Sequence, residues 1–398
     1  MEETTEPAEE AAPPSLTVGV PRETAEGEHR VGLVPEMVTR LTSSGLTVVV
    51  ETGAGMAAGF DDAEYEDAGA TIVPSAASVH DQSEIIARVQ PPSIHEAEYP
   101  RPGSVVICFL DPTRNAEVLR RLGDRDIRVF SFNTMPRITR AQSMDAMSSM
   151  STVAGYKAIL LAATAIGRFF PLLMTAAGTV PPARVLVLGA GVAGLQALAT
   201  ARRLGAVTEG FDTRPAVREQ VQSVGATFVE MPPMEEQTEG EGGYAREVGE
   251  AFLMLERDTL REPVARADVV VTTAMVPGKR APVLLDEQMV ASMRRGSVII
   301  DLAGEAGGNT AYSLPGETVE REGVIIITPL NLPATLATHA SQMYARNVVS
   351  LITLIVKDGR LNLNPNDEIV CGACLTLPKE APADTPAEAS PASSSPSP

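Results

Sequence analysis

The sequence predicts an α/β protein of two parallel-sheet domains, joined by long helices around an interdomain cleft. Three observations predict it. Apolar runs of strand length alternate with helical segments from 16 to 131 and again from 185 to 328. Between those regions lies a long, nearly uncharged helical stretch, 151–170, and a second long helix, 336–356, follows them. Val185-Leu-Val-Leu-Gly189-Ala-Gly191-Val-Ala-Gly194 carries an apolar run into a helix through glycines, and Asp212 closes the next apolar run.

In the first region, Leu16 to Val20 reads as a strand. Pro35 opens a helix over 36–43 that Gly45 stops, and 46–51 is the next strand. Asp61 caps a helix over 62–68, and 70–73 returns as a strand. Strands at 85–89, 105–109 and 127–131 follow, with a helix at 118–122 before the last. Gly53 and Gly55 lack a preceding first strand and a well-placed acid, so they read as a turn rather than a second nucleotide site. In the second region, 185–188, 226–229, 267–273, 297–301 and 324–328 read as strands, with a helix over 196–204. The 151–170 stretch is nearly uncharged and rich in Ala, Leu and Ile, so it is expected to be buried between domains or subunits, with Pro171 and Gly178 ending it. Gly178 to Pro182 is a stiff link.

The glycine motif has the order that a dinucleotide needs. Gly189 allows a tight turn, Gly191 lets backbone approach a pyrophosphate, and Gly194 lets the helix pack closely on the strand. Val192 and Ala193 supply the first helical amides, where a phosphate charge is favoured. Asp212, with Thr213 beside it, can accept hydrogen bonds from the adenosine ribose. An acid there favours NAD(H) over a 2′-phosphorylated cofactor; Arg214 weakens that preference without reversing it. Thr273 and Ala274, at the end of a neighbouring strand, complete the candidate cofactor set. Both domains are therefore read as Rossmann-like.

Composition narrows the partners. Lys and Arg number 32 against 51 Asp and Glu, a net charge of -19, which argues against nucleic acid or an anionic membrane surface. No apolar stretch approaches the roughly 20 residues of a membrane span. The N-terminus is acidic with no basic region, so a signal or transit peptide is not expected. Residues 1–15 and 379–398 lack the apolar content to offset ordering entropy and read as disordered tails. Cys371-Gly-Ala-Cys374 has half-zinc-site spacing, but no second pair or nearby His completes it, so no metal is expected. His80 and His95 read as surface or turn residues.

A second constellation, Pro136 to Ser149, carries Arg137, Arg140, Gln142, Asp145 and Ser148. Two readings stand: a capped helix start with an interdomain salt bridge, or a polar clamp on a nicotinamide. In the clamp, Gln142 and Ser148 bond the carboxamide while Asp145 and Arg137 fix each other and the ring. The polar stretch 232–243, with Tyr244 just beyond it, reads as a covering loop.

These segments, together with Met174-Thr-Ala-Ala-Gly-Thr-Val-Pro-Pro-Ala183, resemble the NAD(H)-binding alpha-1 subunits of the proton-translocating NAD(P) transhydrogenases. The resemblance runs over roughly 16–378. It implies a homodimer resting on a proton-channel membrane component, at the cytoplasmic face of the cell membrane. It also implies a separate NADP(H)-binding component as hydride partner. The family's polar loop falls on Arg137, Gln142, Asp145 and Ser148, with the glutamine reaching toward the gap where two nicotinamides meet. Its mobile-loop tyrosine falls on Tyr244 and its ribose acid on Asp212.

Alanine dehydrogenases share the pattern around His29-Arg30-Val31 but use a lysine and a histidine for acid–base chemistry. Here the matching positions hold Gln90, which cannot exchange a proton, and Asp111, a poor replacement for histidine. Arg30 could hold a carboxylate or serve an ion pair. An amino-acid dehydrogenase and a silent NAD-binding scaffold are the competing functions. The expected divisions are 16–136 plus 332–378 as a discontinuous first domain, 137–150 as the cleft loop, 151–178 as the interdomain helix, and 179–331 as the NAD(H)-binding domain.

Overall fold

The computed structural model describes residues 16–232, 250–275 and 279–376. Strands β1 (Thr17–Val20), β2 (Thr47–Glu51), β3 (Thr71–Val73), β4 (Ile85–Ala87), β5 (Val105–Cys108) and β6 (Arg128–Ser131) form one sheet, ordered β3-β2-β1-β4-β5-β6. Every pairing in it is parallel. Side chains of a strand alternate between faces, and here both faces are covered. Val48, Val50, Ile85, Val105 and Ile107 enter one core, while Val49, Ile86, Val106 and Cys108 enter another. Helices α1 (Pro35–Ser43), α2 (Asp62–Asp67), α3 (Ala76–Gln82) and α4 (Ala116–Asp124) cover them. Asp61 caps α2 in a reciprocal box with Glu64. Helix α3 is not foreshadowed by the sequence pattern. It buries His80, 2% exposed, against Tyr99, and burial lowers that imidazole to about 4. His80 is thus a core residue rather than a surface one, whereas His95 is exposed.

Helix α5 (Ala146–Ala165) links the two sheets. It begins and ends earlier than the expected 151–170, because Asp145 caps it and the chain turns extended at Ile166. The segment read as a stiff link contains a short hairpin, β7 (Leu173–Thr175) with β8 (Gly178–Val180). Leu172, Met174 and Val180 are exposed on this arm, as is Phe169 just before it.

The second sheet comprises β9 (Arg184–Leu188), β10 (Val207–Phe211), β11 (Thr227–Phe228), β12 (Val269–Thr272), β13 (Val298–Asp301), β14 (Thr318–Arg321) and β15 (Val324–Ile327), ordered β11-β10-β9-β12-β13-β15-β14. All pairings are parallel except β14 with β15. The strand β14 leaves no mark in the sequence pattern because Thr318, Glu320 and Arg321 are exposed, as suits an edge. Helix α6 (Val192–Arg203) starts at the glycine turn itself, ahead of the expected residue 196. Helices α7 (Arg218–Ser223), α8 (Glu250–Arg266) and α9 (Glu287–Ser292) complete the layers.

Helix α10 (Ala337–Ile355) then crosses back, packs on α5, and buries Tyr344, Val348, Leu351 and Ile352 in the first core. Helix α11 (Glu368–Ala373) joins that core through Ile369 and Val370. Beyond it, the Leu375 amide donates to the Val129 carbonyl at 2.8 Å, adding backbone to the edge of β6.

Helices α5 and α6 are held in register by the absence of a side chain. Helix α5 packs on α6, and a Cβ at Gly155 would stand 2.1 Å from the Ala193 carbonyl oxygen. We predict that Gly155→Ala lowers unfolding free energy in urea by about 1–3 kcal/mol, the usual cost of forcing an atom into a filled contact. A variant as stable as the parent would show that this crossing is looser than its geometry.

Candidate functional site: a dinucleotide cradle beside a polar loop

In both sheets the strand order reverses between the first and fourth strands, and an open α/β sheet binds ligands at such a point. The two reversals are built oppositely.

At the second sheet the reversal lies between β9 and β12. Gly189 ends β9 with φ of 91°. A Cβ there would meet the Thr273 hydroxyl at 2.6 Å, so only glycine turns the chain this tightly beside β12. That hydroxyl donates to the Gly189 carbonyl at 2.8 Å. Gly194 sits inside the first turn of α6, where a Cβ would lie 2.0 Å from the Gly189 carbonyl oxygen. Gly191 caps α6 and differs from both. A Cβ on it would reach only the Arg214 guanidinium, at 4.0 Å, so the space in front of the turn is open. The amides of the first helical turn, from Val192 and Ala193, face their own helix end, where a phosphate is favoured by dipole and donors alike. Thus the turn offers the cradle that a dinucleotide pyrophosphate requires.

Asp212 is buried just past β10, and its four acceptor directions are already taken. Ala190 N donates to Oδ2 at 2.8 Å, and Arg214 Nη2 donates to the same oxygen at 2.8 Å. Arg214 N and Nε donate to Oδ1 at 2.9 and 2.8 Å. Arg214 is therefore a fork on Asp212, more committed than its sequence position suggested. Thr213 follows in the same loop. Ala274 is fixed from the other side: its amide donates to Asn309 Oδ1 at 3.0 Å, and Asn309 Nδ2 donates back to the Ala274 carbonyl at 2.8 Å. Asn309 in turn donates from its backbone to Asp301 Oδ2 at 2.7 Å, while Thr272 and Ala303 bond the other Asp301 oxygen. Asp301 and Asn309 are both fully buried. Sequence reasoning missed this brace, although a buried acid ending a strand and an Asn after paired glycines were its visible signs.

The polar loop lies at the start of α5, the helix that leans on α6. Asp145 caps α5: Ser148 N donates to Oδ1 at 2.9 Å and Ser148 Oγ to Oδ2 at 2.6 Å. The capped-helix reading describes these two residues, and the carboxylate is oriented by Ser148. Arg137 and Gln142 are exposed. Arg140 pairs with Asp367, the cap of α11, through two bonds of 2.7 and 2.9 Å. Across the cleft Arg114 donates to the Glu305 carbonyl at 2.8 Å. Tyr244 and the loop 233–249 lie outside the described residues.

At the first sheet the reversal between β1 and β4 is filled by the protein itself. Glu23 accepts from the Val89 and Gln90 amides at 2.5 and 3.2 Å. Arg30 donates to Glu28 through Nε at 2.7 Å and Nη2 at 2.5 Å, and to Asn331 at 2.8 Å. Gln90 donates to Glu28 at 2.7 Å. Arg88, 2% exposed, lies between Glu23 and Glu96. Asp111 accepts from the Thr113 and Arg114 amides and so holds a turn. The Arg30 fork is spent inside the protein, and these bonds are made without any His or Lys.

Comparison with known proteins agrees with this geometry. Residues 19–154 match the alanine dehydrogenase/PNT N-terminal domain and residues 158–380 the alanine dehydrogenase/PNT C-terminal domain. The chain belongs to the alanine dehydrogenase/PNT family. Within that family it is 44% identical over 369 residues to the first part of the NAD(P) transhydrogenase subunit alpha of Rhodospirillum rubrum, covering 91% of this chain and 96% of that one. A solved transhydrogenase from Sinorhizobium meliloti superposes with a TM-score of 0.82 at 42% identity, covering 90% and 98%. The alanine dehydrogenase of Bacillus subtilis strain 168 is 28% identical over 333 residues, covering 81% and 80%.

For this family member the filled reversal makes an acid-stability prediction. Arg30 and Gln90 hold the Glu28 carboxyl down at about 2, against the burial that opposes them. A lowered native value means the stabilisation is complete above the unfolded value of about 4.5 and is lost as pH falls toward 2. We expect urea unfolding to lose about 3 kcal/mol across that window. Glu28→Gln should cost about 3–5 kcal/mol at pH 7, by leaving Arg30 buried without its partner charge, and should flatten the acid slope.

Proposed function

We propose that this chain is the NAD(H)-binding component of a proton-translocating transhydrogenase, exchanging hydride directly with NADP(H) held on a partner component. The observation that carries the reading is the contrast between the two reversals. One presents an open glycine cradle with a ribose acid, while the other is closed by its own ion pairs, with Gln90 and Asp111 where the alanine dehydrogenases use a lysine and a histidine. Hydride exchange between two nicotinamides needs rings that are close, aligned and shielded from water, which is a matter of positioning. Bound NADH supplies the hydride.

The chain's own residues bind and orient. Gly189 to Gly194 and the α6 amides hold the pyrophosphate, and Asp212 and Thr213 the ribose. Thr273 and Ala274 wall the cradle, and Ser148 keeps Asp145 fixed. Arg137, Gln142, Asp145 and Ser148 orient the carboxamide, and Tyr244 closes the site. In this assignment 16–136 with 332–378 forms the first domain, 137–150 the cleft loop, 151–178 the interdomain piece and 179–331 the nucleotide domain. The relatives' names support a multi-subunit assembly. Among the described residues no helix is long and apolar enough to cross a membrane, so proton conduction is assigned to a separate membrane component. The chain would dock on its cytoplasmic face. The exposed apolar arm around Met174, 80% exposed, supports a homodimer.

Mixing the protein with NADH, the NADP-binding component and an oxidised nicotinamide analogue should give hydride transfer by absorbance, and omitting the component should abolish it. NADH oxidation with pyruvate and ammonia would instead indicate an alanine dehydrogenase. Gln142→Asn should slow transfer about 10–100-fold while changing NADH affinity much less. Equal losses in both would remove its assigned role. Met174→Glu should shift the protein toward monomer in size-exclusion chromatography; an unchanged elution would place the dimer contact elsewhere.

A further inference from the structure

The polar loop is built as a rod with three faces. Thr139–Met144 winds as a 3₁₀ helix, in which residues three apart lie on one face. Ile138, Ala141 and Met144 form the first face and enter the first core. Arg140 and Ser143 form the second. Gln142 lies on the third and is exposed, and its carbonyl accepts from the Asp145 amide at 3.3 Å.

The second face is tied down at both of its residues, one on either side of Gln142. Arg140 forks onto Asp367 with bonds of 2.7 and 2.9 Å. Asp367 is itself fixed, because it caps α11 by accepting from the Ile369 and Val370 amides. On the other side, Asn347 Nδ2 reaches from α10 and donates to the Ser143 carbonyl at 2.8 Å.

Asn347 is at odds with its helix. Tyr344, Asn347, Val348 and Leu351 have the spacing of one buried face of α10. The other three belong to the first core, and Asn347 among them is 7% exposed. Half of its amide is idle: Oδ1 is buried with no hydrogen-bond partner among the described residues. A buried acceptor left unpaired is destabilising, and a leucine of similar size would avoid it. Packing alone thus favours an apolar residue here. What the amide adds is its bond to the loop.

We propose that Asn347 is a positioning residue for hydride transfer. With the Arg140–Asp367 pair, it holds the polar loop on both sides of Gln142 and so fixes where that side chain points. The proposal rests on the role given to Gln142 above. Both anchors come from α10 and α11, which pack into the first core, whereas the glycine cradle belongs to the second sheet. The cradle therefore holds nucleotide without them. Losing an anchor loosens only the reacting end, where a misplacement of about 1 Å is enough to slow transfer.

The test uses the full chain with NADH, the NADP-binding component and an oxidised nicotinamide analogue. Transfer is followed by absorbance and NADH affinity by nicotinamide fluorescence. Asn347→Leu should slow transfer about 3–10-fold and change NADH Kd less than about twofold. Its melting temperature should equal or exceed the parent's, since the idle acceptor is gone and the exposed Ser143 can turn its carbonyl to water. Combined with Gln142→Asn, it should slow transfer no further than Gln142→Asn alone, because the two changes act through one side chain. If Asn347→Leu melts lower than the parent, Asp367→Asn carries the same test. It keeps a cap for α11 while removing the charge that Arg140 pairs with. Transfer at the parent's rate, equal losses in transfer and affinity, or losses that multiply in the double variant overturn this proposal alone. A parent that binds NADH and passes no hydride to the partner overturns the functional reading and this proposal with it.

Discussion

The structure depends on three backbones meeting with nothing between them. The Gly189 carbonyl lies against Gly194, and the Ala193 carbonyl lies against Gly155. The first contact seats α6 on the end of β9; the second seats α5 on α6. Each would be broken by a single methyl group. Together they set the distance between the glycine turn, which belongs to the second sheet, and the start of α5, where Asp145 and Ser148 lie. Close packing of this kind tolerates little added volume. The polar loop is thus carried to the cradle by helix packing, and Asp145 needs only its cap to be held in place.

The two sheets share the order of their first five strands and differ at their reversals. In the first, Glu23, Glu28, Arg30, Arg88 and Gln90 satisfy one another, and Asn331, on the chain returning from the second domain, joins through Arg30 and Glu28. Buried charge arranged this way is costly to disturb, and it fixes the approach of the two domains. In the second, glycine replaces side chains and leaves space. The same fold therefore yields one closed reversal and one open reversal, and the side chains decide which is which.

Much of this was legible in the sequence because the relevant contacts are local. The strand, turn and helix around Gly189 to Gly194 and the run of valines in β2 report their own surroundings. The capping box at Asp61 does so too. What stayed hidden depends on partners far along the chain. Gly155 sits in an Ala-rich helix and means nothing until Ala193 is opposite it. His80 looked peripheral because α3 is short, yet Tyr99 and the first sheet enclose it. The arm at β7 and β8 is too short to show a period.

The fork between Arg214 and Asp212 has a consequence for exchange. Without nucleotide, Asp212 is neither bare nor solvated, because a neighbouring side chain already satisfies it. A dinucleotide gains only the difference between its own hydrogen bonds and those it displaces. Departure is then eased by a guanidinium waiting to return. A carrier that loads and unloads once per cycle works better on such an even balance than on a trap.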